Sequence, residues 1–313
     1  MIEKKRVLVS GAGGFIGRWS VPALLDKGFE VHAVLSARAA HDPPAELKGA
    51  ATHVADLLNE SDAADLVTQV RPSHLLHFAW IATPGVYWQS EENFRWVEAS
   101  EHLLRRFHAS GGIRAVLAGS CVEYDWAEGG VCEERSSPLA DAGRGRPSPY
   151  AAGKLAMQRK LAEFSAQERL SAAWGRIFFQ FGPYEHPARL VASVIRNLLA
   201  NQVAPCTHGR QVRSFLHVAD VGAAFASLLD SRVEGPVNVG SDQRIAVAEL
   251  IDRIARQIGR PELVHLGARA AAPDEPLLLL PDVRRLRDEV QWRPRFTLDA
   301  GIKDTIDWWR GRQ

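Results

Sequence analysis

The most informative stretch of this 313-residue sequence is RVLVSGAGGFIG, residues 6–17. A short β-branched run, Arg6–Ser10, leads into a glycine-rich turn, after which apolar residues recur at helical spacing over 19–27. A glycine turn between a strand and a helix lets backbone N–H groups approach a pyrophosphate, whose charge the helix N-terminus favours. The stretch therefore predicts a dinucleotide-binding turn. Its predicted cofactor-binding residues are Gly11, Gly13, Gly14, Phe15, Ile16 and Gly17.

The first 120 residues alternate between short apolar runs and amphipathic stretches. The further predicted strands are Glu30–Leu35, 52–55, 74–79 and 115–118, and the further predicted helices include 61–70 and 93–110. Strands that alternate with helices at this spacing form βαβ units around a parallel sheet. The predicted fold class is α/β, a Rossmann-type doubly wound parallel sheet with a smaller C-terminal substrate-binding region.

Beyond Gly182 the alternation loosens and prolines recur, which is typical of a loop-rich region. We assign residues 1–178, with part of 212–240, to the dinucleotide-binding domain. Residues 179–211 and 241–313 form the predicted substrate-binding region, and we expect the ligand cleft between the two parts.

Charge and composition exclude several classes of protein. Lys and Arg total 38 and Asp and Glu total 37, so this near-neutral chain has no global field for nucleic acid or an acidic membrane, and we expect neither as a partner. Cys121, Cys132 and Cys206 suit neither a disulfide framework nor a zinc site, and the histidines lack metal-ligand spacing, so no metal is predicted. With 46% hydrophobic residues and no aliphatic run near the length of a bilayer span, we expect a cytoplasmic globular protein.

The residues after the second strand predict which dinucleotide binds. A site that prefers NAD usually places a carboxylate there for the ribose hydroxyls, but here the sequence is Leu35-Ser36-Ala37-Arg38, with no acid before Asp42. The hydroxyl of Ser36 and the guanidinium of Arg38 suit a 2′-phosphate, and Arg18 could add to that pocket, although each arginine alone could be a solvated surface residue. Together these residues favour NADP(H) and leave NAD(H) possible.

Three residues form a candidate catalytic group. Tyr150 and Lys154 stand four apart and so share one face of a helix. A tyrosine titrates near ~10, and an adjacent cation lowers that value toward neutral pH. Ser120 closes the fifth strand, at the carboxyl edge of the sheet where ligands bind. Ser120 can therefore bind a substrate carbonyl while Tyr150 gives or takes its proton.

These motifs, in this order and over nearly the whole chain, resemble the extended short-chain dehydrogenase/reductases, the group of nucleotide-sugar epimerases, dehydratases and ketoreductases. The resemblance also rests on Asp56-Leu57, His77-Phe78-Ala79-Trp80, Asn93, Tyr124, Arg176 with Gly182-Pro183, Arg213 through Asp220, Asn238-Val-Gly240 and Trp292-Arg-Pro294.

The resemblance implies roles for individual residues. Ser120, Tyr150 and Lys154 would be the catalytic triad, the last two also touching the cofactor, and Arg213 would bind the substrate diphosphate. The implied cofactor-binding positions outside the glycine turn are Asp56 and Leu57 beside the adenine, and Phe78, Ala79 and Trp80 along the dinucleotide. His77 and Asn93 could instead be packing and capping residues, which we favour for His77.

Further candidates lie on the substrate side. Trp80, in the loop after the fourth strand, could stack on substrate or nicotinamide, as could Tyr87 and Trp88 in that loop. Arg189 and Arg269 are loop arginines that could reach a diphosphate, although each could equally be an ordinary surface charge.

Departures from the family pattern narrow the activity. The dehydratases carry Asp-Glu directly after the catalytic hydroxyl, whereas this chain has Cys121 and Val122, and strand alternation predicts that Glu123 turns away. A dehydratase is therefore not expected. Phe179 stands where many relatives have Asn, and Ser214 where they have Asp, so both changes fall on the substrate side.

The expected activity is NADPH-dependent reduction of a nucleotide-activated 4-keto-6-deoxy sugar, with Tyr150 as the acid. The same residues would serve a 4-epimerase or dehydrogenase with bound NAD, and these alternatives stay open. A non-catalytic NADP-binding sensor is the alternative from another class, but such a protein would be expected to lose the tyrosine or the lysine.

The family resemblance also implies a homodimer, built by the helix over 93–110 and the Tyr150 helix. The apolar residues on these helices fit such an interface, although helices packed on a sheet need the same pattern. These residues are Trp96, Leu103, Leu104, Phe107, Leu155, Leu161 and Phe164.

The cofactor prediction is tested by Arg38→Ala. We expect the wild type to bind NADP(H) about ten-fold more tightly than NAD(H), about 1.4 kcal/mol, which one charged hydrogen bond can supply. The substitution should remove most of that preference, as measured by titration with both reduced cofactors. Equal affinity of the wild type for NADH and NADPH would contradict the prediction.

Overall fold

The computed structural model describes residues 5–127, 129–141, 147–272 and 275–312. In chain order, its strands are β1 (Arg6–Ser10), β2 (Glu30–Leu35), β3 (Ala51–Val54), β4 (His74–His77), β5 (Arg114–Ser120), β6 (Gly130–Cys132), β7 (Ser171–Ile177), β8 (Phe179–Phe181), β9 (Ala204–Pro205), β10 (Val212–His217), β11 (Gly235–Val239), β12 (Arg244–Ala246), β13 (Val264–His265) and β14 (Leu279–Pro281).

Nine α-helices lie in the described ranges: α1 (Gly17–Asp26), α2 (Ala37–Ala40), α3 (Glu60–Val70), α4 (Glu92–Ala109), α5 (Pro149–Glu168), α6 (Leu190–Leu199), α7 (Val218–Asp230), α8 (Val247–Ile258) and α9 (Leu298–Arg310). Shorter helical turns lie at Ala45–Leu47, Cys121–Glu123, Pro261–Leu263 and Arg285–Glu289. Among the described helices, each is too short or too polar to cross a membrane.

A parallel sheet of seven strands organises the molecule. Its strand order is β3-β2-β1-β4-β5-β7-β11, and every neighbouring pair is parallel. The chain moves outward from β1 in one direction to β3 and then returns to β4 on the other side of β1. This reversal creates a crevice at the carboxyl ends of β1 and β4, which is where dinucleotides bind in such sheets. The predicted Rossmann-type doubly wound fold is confirmed.

Helices cover both faces of the sheet, which explains why its strands are apolar throughout. In β1, Val7 and Val9 point into one core with α1 and α7, whereas Leu8 points into a second core with α3, α4 and α5. A third core belongs to the C-terminal part, where α6, α8 and α9 pack beside the small sheet β12-β10-β8. Helix α8 is the clearest amphipathic element there, because Leu250, Ile251 and Ile254 bury one stripe.

Two strands differ in length from the sequence prediction, and β3 begins and ends one residue before the predicted 52–55. The fourth strand was expected over 74–79 but ends at His77, because the N–H groups of Phe78 and Ala79 turn onto the Ser10 carbonyl (3.1 Å) and hydroxyl (3.2 Å). The fifth strand is longer than expected and runs over Arg114–Ser120. Both differences arise from pairing between strands, which local sequence does not contain.

The apolar side chains that were expected to support a homodimer are used inside one chain. Five of the seven are buried in the core under the sheet, Leu155 is buried elsewhere in the chain, and Trp96 is partly buried against that core. The buried six are Leu103, Leu104, Phe107, Leu155, Leu161 and Phe164. Packing on the sheet therefore accounts for the pattern, and these residues no longer support a dimer interface.

Arg114 is a buried cation that ties the sheet to the end of α7. From the start of β5 its guanidinium donates to the carbonyls of Leu228 (2.7 Å), Leu229 (2.8 Å) and Val233 (2.8 Å), and to the Ser171 hydroxyl (2.7 Å). Carbonyls at a helix C-terminus lack partners within the helix, so this side chain acts as their donor.

Replacing Arg114 with Met should lower the free energy of unfolding by roughly 2–4 kcal/mol, because buried carbonyls would lose their donor. Urea denaturation followed by circular dichroism measures this. Arg106→Met, on the exposed side of α4, is the matched control and should change stability by less than about 0.5 kcal/mol. Similar losses in the two variants would contradict a special role for Arg114.

Candidate active site

The turn after β1 is shaped by how closely other backbone segments approach it. Gly11 has φ +67°, and a Cβ there would lie 2.8 Å from the Ala79 nitrogen at the end of β4. A Cβ at Gly17 would lie 2.1 Å from the Gly11 carbonyl oxygen, which accepts a hydrogen bond from Gly14 N–H (2.9 Å). The turn is thus a bare backbone cradle at the N-terminus of α1, which fits a pyrophosphate.

The residues predicted to choose between NAD and NADP lie beside this turn. A Cβ at Gly13 would be 2.9 Å from the Ala39 side chain, so the turn packs directly on α2. Ser36 caps α2 by accepting a hydrogen bond from Ala39 N–H (3.3 Å), and both Ser36 and Arg38 are exposed. The two side chains therefore stand at the rim of the cradle.

Arg18 is held against the same turn. Its guanidinium donates to the carbonyls of Gly13 (2.9 Å) and Gly14 (3.1 Å) and lies 3.8 Å from the ring centroid of Tyr184. Glu46 is 3.9 Å away. These contacts place a fixed positive charge next to the rim formed by α2.

The remaining cofactor positions are distributed along the crevice. Asp56 is exposed after β3, where its carboxylate accepts a hydrogen bond from Leu58 N–H (3.0 Å), and Leu57 is buried. Phe78 follows β4 and packs edge-on against Phe225, with ring centroids 4.8 Å apart. The structure thus places Phe78 at the switch point and Asp56 one strand beyond β2.

The structure brings Ser120, Tyr150 and Lys154 together. Ser120 ends β5, and the hydroxyl of Tyr150, in the first turn of α5, is hydrogen-bonded to Ser120. The Lys154 ammonium donates to the Ala118 carbonyl (2.9 Å) and lies 3.8 Å from the Trp80 ring centroid. The three polar groups therefore converge on the carboxyl end of β5, one strand from the switch point.

Burial controls the protonation of this group. Desolvation raises the pKa of Tyr150 above its ordinary value, whereas the sequence predicted that the adjacent cation would lower it, and the hydrogen bond with Ser120 opposes the upward shift. Desolvation lowers the pKa of Lys154 to about 7, opposed by the negative charge of Glu123. At neutral pH the phenol is therefore a proton donor, beside a lysine that titrates near that pH.

His77 and Asn93 serve packing. Burial lowers the pKa of His77 to about 3, and its ring nitrogens contact the hydroxyls of Ser10 (2.7 Å) and Ser100 (2.9 Å). Buried Asn93 donates to two carbonyls of the preceding loop and accepts from Trp80 Nε1 (2.8 Å). Both side chains hold the elements around Lys154, which agrees with the packing interpretation of His77.

The prediction that Glu123 turns away from the site is wrong, because it assumed that the strand continues beyond Ser120. Residues Cys121–Glu123 form a 3-10 turn, because the Ser120 hydroxyl caps it, so strand alternation does not apply. The Glu123 carboxylate turns inward, where it accepts hydrogen bonds from Ser120 N–H (2.7 Å) and Arg176 Nε (2.7 Å). It also accepts from Trp174 Nε1 (2.9 Å). Sequence reasoning missed this network, although Ser120 and Glu123 stand three residues apart as in a capping box, which is a local signal of a helical turn.

Aromatic rings surround Tyr150 on the open side. Tyr87 packs edge-on against it at 4.8 Å between centroids, and Trp88 lies 6.1 Å from it. Trp126, which sequence reasoning also missed, lies 6.2 Å from Trp88 and donates from Nε1 to the Cys121 carbonyl (2.9 Å). These rings form a largely apolar wall next to the candidate acid.

The substrate-side residues occupy different positions. Arg213 is buried, donates to Glu275 (3.0 Å) and lies 5.2 Å from the Phe179 ring centroid. Arg189 is exposed at the start of α6, 6.0 Å from the Tyr87 ring centroid. Arg269 lies elsewhere, with its backbone N–H on the Cys206 carbonyl in the C-terminal part. Arg189 and Arg213 thus border the site, and Arg213 already has a carboxylate partner.

A Rossmann-type sheet with a glycine turn at its switch point, and with Ser, Tyr and Lys together beside it, is the arrangement of the short-chain dehydrogenase/reductase class. The sequence model of the NAD dependent epimerase/dehydratase family matches residues 7–240. The chain belongs to this family of enzymes, which confirms the resemblance given by its motifs.

Individual relatives support the same conclusion. The UDP-glucuronic acid decarboxylase 1 of Xenopus tropicalis is 24% identical over 98% of this chain and 73% of its own length. A dTDP-glucose 4,6-dehydratase of Xanthomonas campestris pv. campestris is 29% identical over 53% of this chain and 50% of its own length.

Solved structures match over almost the whole chain. The UDP-glucose 4-epimerase of Thermus thermophilus, in complex with NAD, has a TM-score of 0.79 at 26% identity and covers 98% of this chain and 100% of its own. The UDP-glucose 4-epimerase of Thermotoga maritima with UDP-glucose has a TM-score of 0.83 at 20% identity, and the match covers 98% of this chain and 99% of the Thermotoga chain. The second likeness shows the fold alone.

Gly17→Ala should weaken binding of NADPH and of NADH by about 100-fold or more, about 2.7 kcal/mol, because its Cβ cannot fit 2.1 Å from the Gly11 oxygen without shifting the turn. Gly28→Ala is the control, because a Cβ at Gly28 meets nothing within 4 Å. Since Gly28 has φ +78°, this substitution should lower the free energy of unfolding by about 1 kcal/mol. Titration by cofactor fluorescence compares the two. Wild-type affinity in Gly17→Ala would show that the turn does not hold the dinucleotide.

Proposed function

We propose that this chain reduces the carbonyl of a nucleotide-activated 4-keto-6-deoxy sugar with NADPH. The observation that supports this most is the convergence of Ser120, Tyr150 and Lys154 beside the glycine turn, with no acid or base in the two positions after Ser120. Burial raises the pKa of the Cys121 thiol to about 12, and Val122 is apolar, so neither can eliminate water at neutral pH. The site can therefore protonate an oxygen but lacks the groups of a dehydratase.

Each residue of the group has a distinct task. A bound nicotinamide supplies hydride to the carbonyl carbon. The Ser120 hydroxyl donates to the substrate oxygen and orients it, and Tyr150 delivers the proton that this oxygen needs. Lys154 holds the ribose and places a positive charge beside the phenol, which stabilises the phenolate left after transfer.

NADP(H) is the proposed cofactor. Ser36 and Arg38 are exposed at the rim of the cradle, and Arg18 is held next to it by two turn carbonyls. Ser36 and Arg38 follow β2, where an NAD site would place an acid, and Arg18 adds a third group able to bind a 2′-phosphate. NAD(H) is the alternative, supported by the family's description and by the NAD in the Thermus structure.

A nucleotide-sugar 4-epimerase or dehydrogenase with bound NAD is the second candidate. It is favoured by the likeness to a 26% identical 4-epimerase over 98% of the chain. An epimerase regenerates its cofactor in each cycle, so it would show no net NADPH oxidation while converting one 4-epimer into the other. A non-catalytic sensor has less support, because the tyrosine and lysine are both present and placed together.

The substrate and assembly proposals extend this function. A nucleotide diphosphate would lie between Arg189 and Arg213, with the aromatic wall beside the sugar, and binding to Arg213 would compete with Glu275. We propose a homodimer and a cytoplasmic location on the family resemblance alone, because the helix residues expected at the interface are buried within one chain.

Tyr150→Phe should reduce turnover by roughly 10²–10⁴, the usual contribution of a positioned acid, while the fold and cofactor binding survive. Unlike Tyr150→Phe, Lys154→Ala should weaken cofactor binding as well as turnover, because Lys154 is proposed to hold the ribose. Loss of NADPH absorbance with a panel of nucleotide 4-ketosugars measures turnover, and fluorescence titration measures binding.

Near wild-type turnover of Tyr150→Phe on an accepted substrate would contradict the proposed mechanism. Interconversion of 4-epimers without net cofactor oxidation would favour the epimerase. Cofactor binding without wild-type activity on any of these substrates would favour the sensor.

A further inference from the structure

Glu123 is a fully buried acid with an unusual set of partners. Its side chain has no exposed surface, yet its two oxygens accept hydrogen bonds from a backbone N–H, an indole and a guanidinium. The ion pair with Arg176 is 2.7 Å long and almost wholly inside the protein. Such a pair costs desolvation free energy that packed apolar residues would avoid, so it calls for a role other than stability.

The position of this carboxylate links it to the candidate catalytic group. Glu123 Oε1 binds Ser120 N–H at 2.7 Å, and the Ser120 hydroxyl in turn caps the 3-10 turn that carries Glu123. Two residues earlier on β5, the Ala118 carbonyl binds the Lys154 ammonium. Glu123 and Lys154 therefore hold the same strand end at points two residues apart.

The strand between these two points has no room to move. A Cβ at Gly119 would lie 2.1 Å from Trp174 Nε1 and 2.5 Å from Glu123 Oε1. The carboxylate thus packs directly against the backbone that carries Ser120, so a change of its length or shape is transmitted to that hydroxyl.

Charge connects Glu123 to Lys154 as well. The titratable groups that act on Lys154 or lie beside it are Tyr150 on its own helix, His77 on β4 and Glu123 on the 3-10 turn, with Arg176 behind Glu123. Tyr150 and His77 are neutral at pH 7, because burial raises the pKa of Tyr150 and lowers that of His77. Among these groups, Glu123 is the one negative charge near the ammonium.

We propose that Glu123 is a positioning residue of this centre: its carboxylate fixes the Ser120 end of β5, and across the Trp174 indole it directs a buried negative charge toward the Lys154 ammonium. The proposal rests on the catalytic roles given above for Ser120 and Lys154. It assigns two separable functions to Glu123. The side chain is long enough to bind the Ser120 N–H, and its negative charge acts on Lys154.

Two substitutions separate the effect of side-chain length from the effect of charge. Glu123→Gln keeps the length and an acceptor oxygen but removes the charge, whereas Glu123→Asp keeps the charge but is one methylene shorter. Glu123→Gln leaves Arg176 as an unpaired buried cation, which could destabilise the fold. The double variant Glu123→Gln/Arg176→Met removes both charges and is therefore tested beside the single variant. Circular dichroism and thermal melting check the fold of each.

Cofactor affinity is measured from pH 5.5 to 9.5, using whichever of NADPH and NADH the wild type binds more tightly. Affinity falls as pH rises through the Lys154 pKa, because the neutral amine no longer attracts the cofactor. Without the negative charge the pKa of Lys154 drops, so in Glu123→Gln the loss of affinity should begin about one pH unit lower than in the wild type. The double variant should show a smaller shift in the same direction, because it also removes the positive charge of Arg176. In Glu123→Asp the loss should stay at the wild-type pH.

Turnover gives the second measurement. Glu123→Asp should lower kcat by roughly 10- to 100-fold with little change in KM, because the shorter side chain releases the strand end that orients Ser120. A purely structural role would lower kcat without moving the pH of cofactor loss in the Gln variants. The proposal would be overturned if the Gln variants lost cofactor at the wild-type pH, or if Glu123→Asp kept the wild-type kcat.

The binding measurement keeps this inference separate from the proposed function. If the wild type binds cofactor but has no activity on the ketosugar panel, the proposed function fails, while the pH shift still tests the link between Glu123 and Lys154. If the wild type is active and the pH of cofactor loss is the same in every variant, the proposal about Glu123 fails alone.

Discussion

The close approach of the turn after β1 to the end of β4 is the contact on which the rest of the site depends. Gly11, at φ +67°, leaves no space for a side chain between its backbone and Ala79. This contact sets the crevice at the point where the strand order reverses. Because β5 is the next strand beyond β4, Ser120 then ends beside the crevice, and α5 carries Tyr150 and Lys154 over it.

The interior beside this crevice is more polar than a Rossmann core requires. Besides Glu123, Arg176 donates to the Tyr124 hydroxyl (3.1 Å), which donates to the Asn238 side chain (2.8 Å). The network joins the end of β5 to β7 and β11, and its members are almost wholly buried. Satisfied buried networks of this kind fix one arrangement of the backbone, which suits a site that must hold a hydroxyl, a phenol and an amine together.

Family membership and the details of this chain answer different questions. The matched family establishes a nicotinamide-dependent enzyme, and its members named above include a decarboxylase, a dehydratase and an epimerase. The details particular to this chain include the groups beside the tyrosine. In this chain those groups are Cys121, Val122 and the rings of Tyr87, Trp88 and Trp126, so the surroundings of Tyr150 are mainly apolar, with polar groups on Ser120, Lys154 and Tyr87.

The sequence by itself determined the strand–turn–helix unit at residues 6–26, the parallel α/β class and the identity of the three polar residues, because each depends on local periodicity, turn chemistry or motif spacing. It left open whether the apolar stripes of two helices pack on the sheet or on a second copy, since such stripes look the same in both cases, and the structure buries them within one chain. It also turned Glu123 the wrong way, since the chain leaves the strand at Ser120 and the 3-10 turn brings the carboxylate to Trp174 and Arg176 on β7. Tertiary structure alone decided these points, because hydrogen-bond partners about 50 residues apart in sequence leave no local pattern.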